Sequence, residues 1–353
     1  MSSPKDRQHG IAIITVMLVI ALSTITIASM VSRQQLDIHR ETNEAFLQQA
    51  RSLAISGERF AAAVLYRDVQ DAARENSDSL DDDWAQTLPP VPVDNASLQG
   101  CLFDMQGRFN LNNLVNDEGE ANPVYVDILS RLLQELNIDP VKAQAIVDWV
   151  DSDINATIPD GAEDDYYTSL TPPYGTANRL MANVSELRLI KGFNPQVEEE
   201  DADYQLLLPH VTALPTTNGL VPVNVNTASP QVISALSEFL QPLGADLSRW
   251  DTAGYENYPD CEDIFDLTAE ATPDTLEAER DTTPYESTLI FEDSAAPESG
   301  EAVAEPGTFD VRSRYFQLRI DVATEGLSLT QYTLFERSED GKTRVVQRSR
   351  DTL

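Results

Sequence analysis

The sequence predicts an α+β protein in which a long N-terminal helix packs on a small antiparallel sheet, with a large helical insert between the two. Three observations support this fold class. Residues 11–32 are apolar and uncharged, residues 308–348 alternate apolar with polar side chains, and residues 105–306 carry repeated helix start and stop signals. These patterns are typical of a membrane helix, of half-buried strands and of short helices, respectively.

The apolar segment begins after Gly10 and meets its first charge at Arg33. About 21 residues at 1.5 Å per residue span about 30 Å, which is the thickness of the hydrocarbon core of a bilayer. Lys5 and Arg7 precede it and favour a cytoplasmic N-terminus. A secretory signal peptide would place its small residue after the apolar run, whereas Gly10 stands before it. We therefore expect a single-pass anchor, with residues 11–32 as the membrane half of the helix. Residues 1–10 resemble the class III leader of type IV pilins and type II secretion pseudopilins, and an ordinary anchor with a chance glycine is the alternative.

The helix is expected to continue beyond the membrane, to about residue 74. Apolar and small residues recur at helical spacing from Phe46 to Leu65, and no proline occurs before Pro89. Residues 76–97 are polar and proline-rich, which predicts a connector loop without a core. A first strand follows at 98–104, so residues 33–104 complete the helix, the connector and one strand of the sheet domain.

The insert, residues 105–306, contains two segments with an Asn-x-Asn pattern, 104–114 and 221–228. Each leads towards an amphipathic helical stretch, at 124–136 and 230–240, and Asn side chains and Pro230 suit helix starts. The pair resembles two lobes of the SAM-like or helix-hairpin-helix class, although ordinary helix capping used twice explains it equally. Residues 269–306 are rich in Glu, Asp, Thr and Pro, and predict a long solvated or disordered segment.

The C-terminal block, residues 307–353, predicts an antiparallel meander. Alternating stretches at 308–323, 327–337 and 343–348 are separated by turn residues at 325–326 and 339–341. This meander would supply the sheet on which the long helix packs.

The charge of the chain excludes whole classes of function. With 59 acidic against 24 basic residues, the formal net charge is −35, which argues against nucleic-acid binding. The histidines, at His9, His39 and His210, are scattered, and no nucleotide-binding glycine pattern occurs. Nothing therefore indicates an enzyme.

An acidic stretch indicates a calcium site. Residues 151–165 hold six carboxylates and one asparagine, and calcium takes six to eight oxygen ligands from flexible loops. The helix predicted to end at Val150 also directs its negative end here. The expected ligands are Asp151, Asp153, Glu163, Asp164 and Asp165. The segment is not an EF-hand, since Ala156 stands where that loop requires glycine, and a solvated acidic loop is the alternative.

These motifs together resemble the K-type minor pseudopilins of the type II secretion system. The resemblance rests on Gly10 with its apolar span and on a series of short motifs in a characteristic order: 107–114, 160–167, 172–174, 184–188, 224–228 and 313–316. The long acidic stretch at 269–306 departs from the family pattern. A type IV pilus minor pilin or tip adhesin is one alternative, because those proteins have similar leaders. A membrane-anchored DNA receptor of the competence type is another, but such a receptor should be basic, whereas this chain is acidic.

The resemblance implies that prepilin peptidase cuts between Gly10 and Ile11, and that the new N-terminus is methylated. Pilin-like subunits generally carry a glutamate at the fifth mature position, which is Thr15 here. A buried carboxylate without a cationic partner is costly, so its absence suits a subunit at the filament tip, with no neighbour ahead of it. The family also implies structural calcium in the insert.

The implied role is non-enzymatic: a subunit that starts a periplasmic pseudopilus, which then pushes folded proteins through the outer membrane. The implied partners are the I- and J-type minor pseudopilins, the major G-type pseudopilin, prepilin peptidase and the inner-membrane assembly platform. The chain would be anchored in the inner membrane with its C-terminal bulk in the periplasm. That compartment permits a disulfide between Cys101 and Cys261, with two buried thiols as the alternative.

Overall fold

The structure, a computed structural model, describes residues 6–71, 76–86, 90–93, 95–217, 219–249, 283–295, 302–324 and 327–350. They form the predicted α+β arrangement of one long helix, an antiparallel sheet and a helical insert, which confirms the fold class. The α-helices are α1 Asp6–Gln70, α2 Pro123–Glu135, α3 Ala143–Val150, α4 Asp164–Tyr167, α5 Glu198–Leu207, α6 Pro230–Ala235, α7 Gly244–Leu247 and α8 Thr288–Ala295. The strands are β1 Val91–Val93, β2 Ala96–Asp104, β3 Phe109–Asn110, β4 Val211–Thr212, β5 Val223–Asn224, β6 Phe309–Asp310, β7 Tyr315–Thr324, β8 Leu327–Arg337 and β9 Thr343–Ser349.

Helix α1 has two halves with different surroundings. Residues 13–45 are exposed throughout, and this stretch includes a segment long and apolar enough to cross a membrane. From Phe46 onward one face is buried, including Ala50, Ala54 and Leu65. A Cβ added at Gly57 would lie 2.6 Å from Cδ1 of Ile320, so glycine lets the helix approach the sheet closely.

The main sheet has the strand order β1-β2-β7-β8-β9, and all of its neighbouring strands are antiparallel. The predicted meander corresponds to β7, β8 and β9. The edge strand β1 was not predicted, because Pro92 argues against a strand except at an edge. One face of the sheet carries Phe316, Ile320 and Phe335 into the core shared with α1.

The connector between α1 and β1 was predicted to contribute no core, and that prediction is wrong. Trp84, in the 3₁₀ turn Asp83–Ala85, is 1% exposed, and its ring lies 5.1 Å from that of Phe316. Asp82 accepts a hydrogen bond of 3.2 Å from the Trp84 indole nitrogen, which satisfies the polar edge of the buried ring.

The insert is attached at the end of the sheet that is remote from the exposed half of α1. It leaves the sheet after Asp104 and returns at Tyr315, the adjacent ends of β2 and β7. Along α1, Gly57 lies against Ile320, while Asp68, three turns further on, bonds Arg337 at the end of β8. The insert therefore joins the sheet at the level of the C-terminal end of the long helix.

Both halves of the insert share one buried core, which reaches from Phe109 to Val311. Helices α2 and α6 are joined by the Arg131 side chain, whose Nε donates to the carbonyl oxygen of Ala235 at 2.8 Å. Two short parallel pairs, β3 with β4 and β5 with β6, were not predicted. Pairs of two residues leave no periodic pattern in a sequence.

The Asn-x-Asn segments do not cap the amphipathic helices. Those caps are Asn122, which accepts from Val124 N, and Ser229, which accepts from Val232 N. The motif residues instead hold distant loops: Asn113 donates to the carbonyl of Val221 at 2.7 Å, and Asn226 accepts from Tyr285 N at 2.7 Å. Their role is structural.

The stretch 269–306 was predicted to be solvated, and for residues 283–295 the prediction is wrong. Tyr285 and Phe291 are 1% and 0% exposed, and their rings lie 5.2 Å apart in the insert core. The apolar run at 289–291 forms part of α8, within a composition that is otherwise polar. Residues 269–282 and 296–301 lie outside the described part of the chain.

Candidate metal centre

The acidic loop between α3 and α4 is organised around Asp148. This carboxylate is 0% exposed and accepts hydrogen bonds from the amide of Ala162 at 2.8 Å and the hydroxyl of Thr157 at 2.6 Å. A Cβ at Gly161 would lie 2.1 Å from Oδ2 of Asp148, so the loop closes this tightly only with glycine. These bonds bring the two ends of the loop together.

The closed loop gathers three of the predicted ligands. Asp151 follows α3, Glu163 precedes α4, and each offers a carboxylate oxygen that lies within 4.8 Å of the other and of one from Asp153. Asp151 and Glu163 are 6% and 5% exposed, whereas Asp153 is exposed. Three carboxylates that converge at this distance can bind one divalent cation.

The protein leaves much of this cluster without hydrogen bonds. Among the described residues, Oδ1 of Asp151 and both oxygens of Glu163 have no hydrogen-bond partner. The Thr176 hydroxyl lies beside Glu163 but outside hydrogen-bond geometry, and it too is unpartnered. Buried carboxylate oxygens without partners are costly, so this set of atoms is suited to a cation.

The pKa values of the buried carboxyl groups also indicate that this cluster suits a cation. Burial, together with the nearby charges of Asp153 and Asp148, raises the pKa of Asp151 to about 6. Burial also raises the pKa of Glu163 to about 7, with Asp148 adding to the effect. A bound divalent cation would reverse these shifts by favouring the ionised forms.

Two of the predicted ligands are not part of the cluster. Asp164 and Asp165 are exposed in the first turn of α4, and Tyr167 is the residue that this short helix buries. Asp164 uses Oδ1 to accept from the amide of Thr176 at 2.8 Å, which fixes the facing loop. Adjacent carboxylates in the sequence therefore have different roles.

Two neutral oxygens near the cluster could not be found from the sequence. Besides the Thr176 hydroxyl, Oδ1 of Asn178 is buried and unpartnered among the described residues. The Asn178 amide donates to the backbone carbonyl of Asp153 at 2.9 Å, which places this residue at the cluster. Its backbone has a φ of 44°, in the left-handed region that Asn tolerates. Neither residue lies within the acidic stretch.

A second carboxylate cluster, formed by Asp68, Asp78 and Asp82, already has a cation. Arg337 contacts Asp68 at 3.2 Å and also pairs with Asp78, and both ion pairs are almost fully buried. Burial, with the charges of Asp82 and Asp78, raises the pKa of Asp68 to about 7. The Arg337 guanidinium and a proton on Asp68 can therefore balance the negative charge of this cluster. For that reason we do not assign it as a metal site.

The remaining predicted site residues lie elsewhere. Gly10, Ile11 and Thr15 lie within α1, which runs unbroken through the predicted cleavage position. Cys101 is buried on β2, while Cys261 lies outside the described residues, so their disulfide stays a prediction.

Comparison with known proteins supports the proposed relationship. The family model for type II secretion system (T2SS), protein K, matches residues 107–216. The type II secretion system protein K of Pseudomonas aeruginosa is 34% identical over 349 residues, covering 97% of this chain and 92% of that relative. The chain belongs to the protein K family. Protein K of Aeromonas hydrophila is 35% identical over 253 residues, covering 68% of this chain and 73% of that relative.

A solved structure shows the same fold. The crystal structure of the GspK-GspI-GspJ complex from enterotoxigenic Escherichia coli includes a chain that matches with a TM-score of 0.63 at 23% identity. The match covers 89% of this chain and 100% of the other. The protein K family thus accounts for the long helix, the sheet and the insert together.

Proposed function

We propose that this protein is a minor pseudopilin at the tip of the type II secretion pseudopilus, where it initiates filament assembly and helps to export folded proteins across the outer membrane. The observation that carries the proposal is 34% identity to a protein K relative along 97% of the chain. The role is one of assembly and not of catalysis. We propose the inner membrane as the site of the anchor and the periplasm as that of the remaining chain.

The position of the insert supports placement at the tip. The insert is attached at the level of the C-terminal end of α1, away from the apolar half that would enter the membrane. A subunit stacked ahead along the same axis would meet this bulk. Thr15 supports the same placement, because its side chain offers no carboxylate to the N-terminal amine of a subunit ahead.

The proposed partners are the I- and J-type minor pseudopilins, because the similar structure is that of a GspK-GspI-GspJ complex. The major G-type pseudopilin and the assembly platform would act at later steps. We expect the tagged full-length chain, extracted in detergent, to co-purify with both minor pseudopilins after co-expression. Recovery of neither partner, from a chain shown to be folded, would contradict the proposal.

Processing by prepilin peptidase is a second testable part of the proposal. Cleavage between Gly10 and Ile11 would remove the charged leader and leave the apolar helix in place. We expect N-terminal sequencing of the mature protein to begin at Ile11, with a methylated amine, and Gly10→Asp to retain the leader and block secretion. Mature wild-type protein that keeps Met1 would refute this step.

We also propose that the cluster of Asp151, Asp153 and Glu163 holds a structural calcium ion, with Thr176 and Asn178 as neutral oxygen donors. The unpartnered buried oxygens support this assignment, and an all-oxygen set fits calcium better than a softer metal. The ion would neutralise the converging carboxylates and tie α3 to α4. Asp148 would act indirectly, since its hydrogen bonds close the loop that positions the ligands.

A further inference from the structure

The C-terminal end of the long helix meets the rest of the molecule in a buried cluster of charged side chains. Asp68 belongs to α1, Asp78 and Asp82 to the connector, and Arg337 ends β8. One carboxylate oxygen from each aspartate lies within 4.8 Å of the other two, and the three residues are 4%, 2% and 4% exposed. Arg337 is 3% exposed and pairs with both Asp68 and Asp78. These four residues, which we call the junction cluster, thus set three buried carboxyl groups against one guanidinium.

Asp78 holds the connector to the head, by which we mean the sheet and the insert together. Its amide donates to the carbonyl oxygen of Val311 at 2.8 Å, and its own carbonyl accepts from the side-chain amide of Asn224 at 3.1 Å. Its carboxylate accepts from the amide of Ser313 at 2.7 Å and also pairs with Arg337. Both carboxylate oxygens of Asp78 therefore have donors.

Asp82 is also supplied with donors, whereas Asp68 is not. Oδ2 of Asp82 accepts from the amide of Ser79 at 2.7 Å and from the indole of Trp84 at 3.2 Å. Oδ2 of Asp68 accepts from Arg337 at 3.2 Å, but its Oδ1 is buried and has no hydrogen-bond partner among the described residues. An unpartnered buried oxygen is costly, and a proton would turn this carboxylate into a neutral donor. Asp68 is therefore the member of the cluster on which a proton is most stabilising.

Charges from both neighbouring elements act on Asp68. From the connector, Asp82 and Asp78 disfavour its ionised form, and from β8 Arg337 favours that form. Burial is the largest cause, and together these groups raise the pKa of Asp68 from 3.8 to about 7. Two like charges and one unlike charge in a site without water favour the neutral acid.

Other charges at this end of α1 are exposed. The turn 338–342 packs on the helix, but its Asp340 and Lys342 are exposed and pair with each other. Arg67 is exposed as well and pairs with Asp83 of the connector at 3.2 Å. Because solvent screens such surface pairs, the buried groups of the junction cluster dominate the titration of Asp68.

We propose that the junction cluster is a pH-sensitive latch between the long helix and the head. With a proton on Asp68, the last turn of α1 is held against the connector and β8. With Asp68 ionised, the two connector carboxylates repel it, and one guanidinium shared between Asp68 and Asp78 does not compensate three buried charges. Acidification therefore tightens the attachment of the helix. The latch belongs to the fold of this chain and does not depend on the proposed function.

Hydrogen exchange of the full-length chain in detergent, followed by mass spectrometry, tests the latch. Protection factors of the amides in the last turn of α1 are compared at about pH 6 and about pH 8, with calcium in excess. The folded pKa of Asp68 lies above the ordinary value of 3.8, so the stabilisation by the proton is present at low pH and is lost as the pH rises through about 7. Protection should therefore fall about tenfold between the two conditions.

Three variants separate this titration from others in the chain. Asp68→Asn keeps an oxygen for Arg337 and carries an amide donor in place of the proton, so its last turn should stay protected at both pH values. Asp71→Asn, a matched change of an exposed carboxylate just beyond α1, should keep the tenfold dependence of the wild type. Asp82→Asn removes one repelling charge and should move the midpoint to lower pH, a shift that a purely structural role would not produce.

Equal protection of the wild-type helix end at the two pH values would overturn the proposal. So would a folded Asp68→Asn chain that keeps the pH dependence of the wild type. If Asp68→Asn does not fold, Asp82→Asn decides, because an unchanged midpoint in that variant would also overturn the latch.

Discussion

Glu58 on the stem helix and Glu163 in the insert loop are both buried, at 4% and 5% exposure, but their surroundings differ. Glu58 accepts two hydrogen bonds from Arg348, at 2.6 and 2.8 Å, and others from Thr333 and Gln331. Burial alone would raise its pKa, yet the bonds from Arg348 and Thr333 hold the pKa below 4.5. Glu163 has no such partner among the described residues, and its pKa rises to about 7.

Asp104 and Asp151 differ in hydrogen bonding alone, because burial raises the pKa of both carboxyl groups. Asp104, where the insert meets the sheet, accepts from the Thr227 hydroxyl at 2.5 Å, the Ser313 hydroxyl at 2.7 Å and the Asn224 amide at 2.9 Å. Asp151 is also buried but leaves an oxygen unpartnered. The head thus supplies Glu58 and Asp104 with its own donors and pairs Asp68 with Arg337, whereas the described residues of the loop place no cationic side chain in the cluster of Asp151, Asp153 and Glu163. Burial of an acid therefore indicates a metal only where both hydrogen bonds and a cationic side chain are missing.

The largest effect on stability is expected from removing Asp104, the carboxylate that the head supplies with hydrogen-bond donors. Asp104→Ala would remove the acceptor of four buried hydrogen bonds, and we expect a loss of about 3 kcal/mol in the free energy of unfolding. Denaturant titration of the full-length chain in detergent, with and without calcium, measures this loss. It should be the same in both conditions, because the carboxylate is remote from the acidic loop. Asp104→Asn, which keeps one acceptor oxygen, should lose less.

A smaller effect is expected at the junction of stem and sheet. Glu58→Gln should cost about 1 kcal/mol, because Arg348 is half exposed and solvent weakens the ion pair. The pKa of Glu58 is lowered by folding, so its contribution is present above the ordinary value of 4.5 and is lost as the pH falls below it. The variant should therefore show a shallower loss of stability on acidification. Equal acid dependence in wild type and variant would show that this contact does not carry the effect.

Periodic elements could be predicted from the sequence, and elements defined by tertiary contacts could not. The spacing of apolar residues in α1 and the alternation in β7 to β9 are local signals that specify both element and buried face. Trp84 and Phe291 lie in sequence segments that are polar overall, so the composition of those segments hides the burial of both side chains. In the acidic stretch, composition identified the loop but could not distinguish Glu163 from Asp165, since only the first turn of α4 decides which carboxylate is buried.

Calcium binding is the central claim about the loop, and it is measured most directly by the metal content of the protein after equilibrium dialysis, together with its melting temperature. The wild-type chain should retain calcium, and at 100 times the dissociation constant it should gain about 2.7 kcal/mol of stability over a chelator-treated sample. Glu163→Gln and Asp151→Asn should abolish both signals. Asp165→Asn, a matched change two residues from Glu163 but outside the cluster, should keep them. No calcium retained by the wild type, and a melting curve that is the same in millimolar calcium and in excess chelator, would contradict the claim and leave a solvated acidic loop.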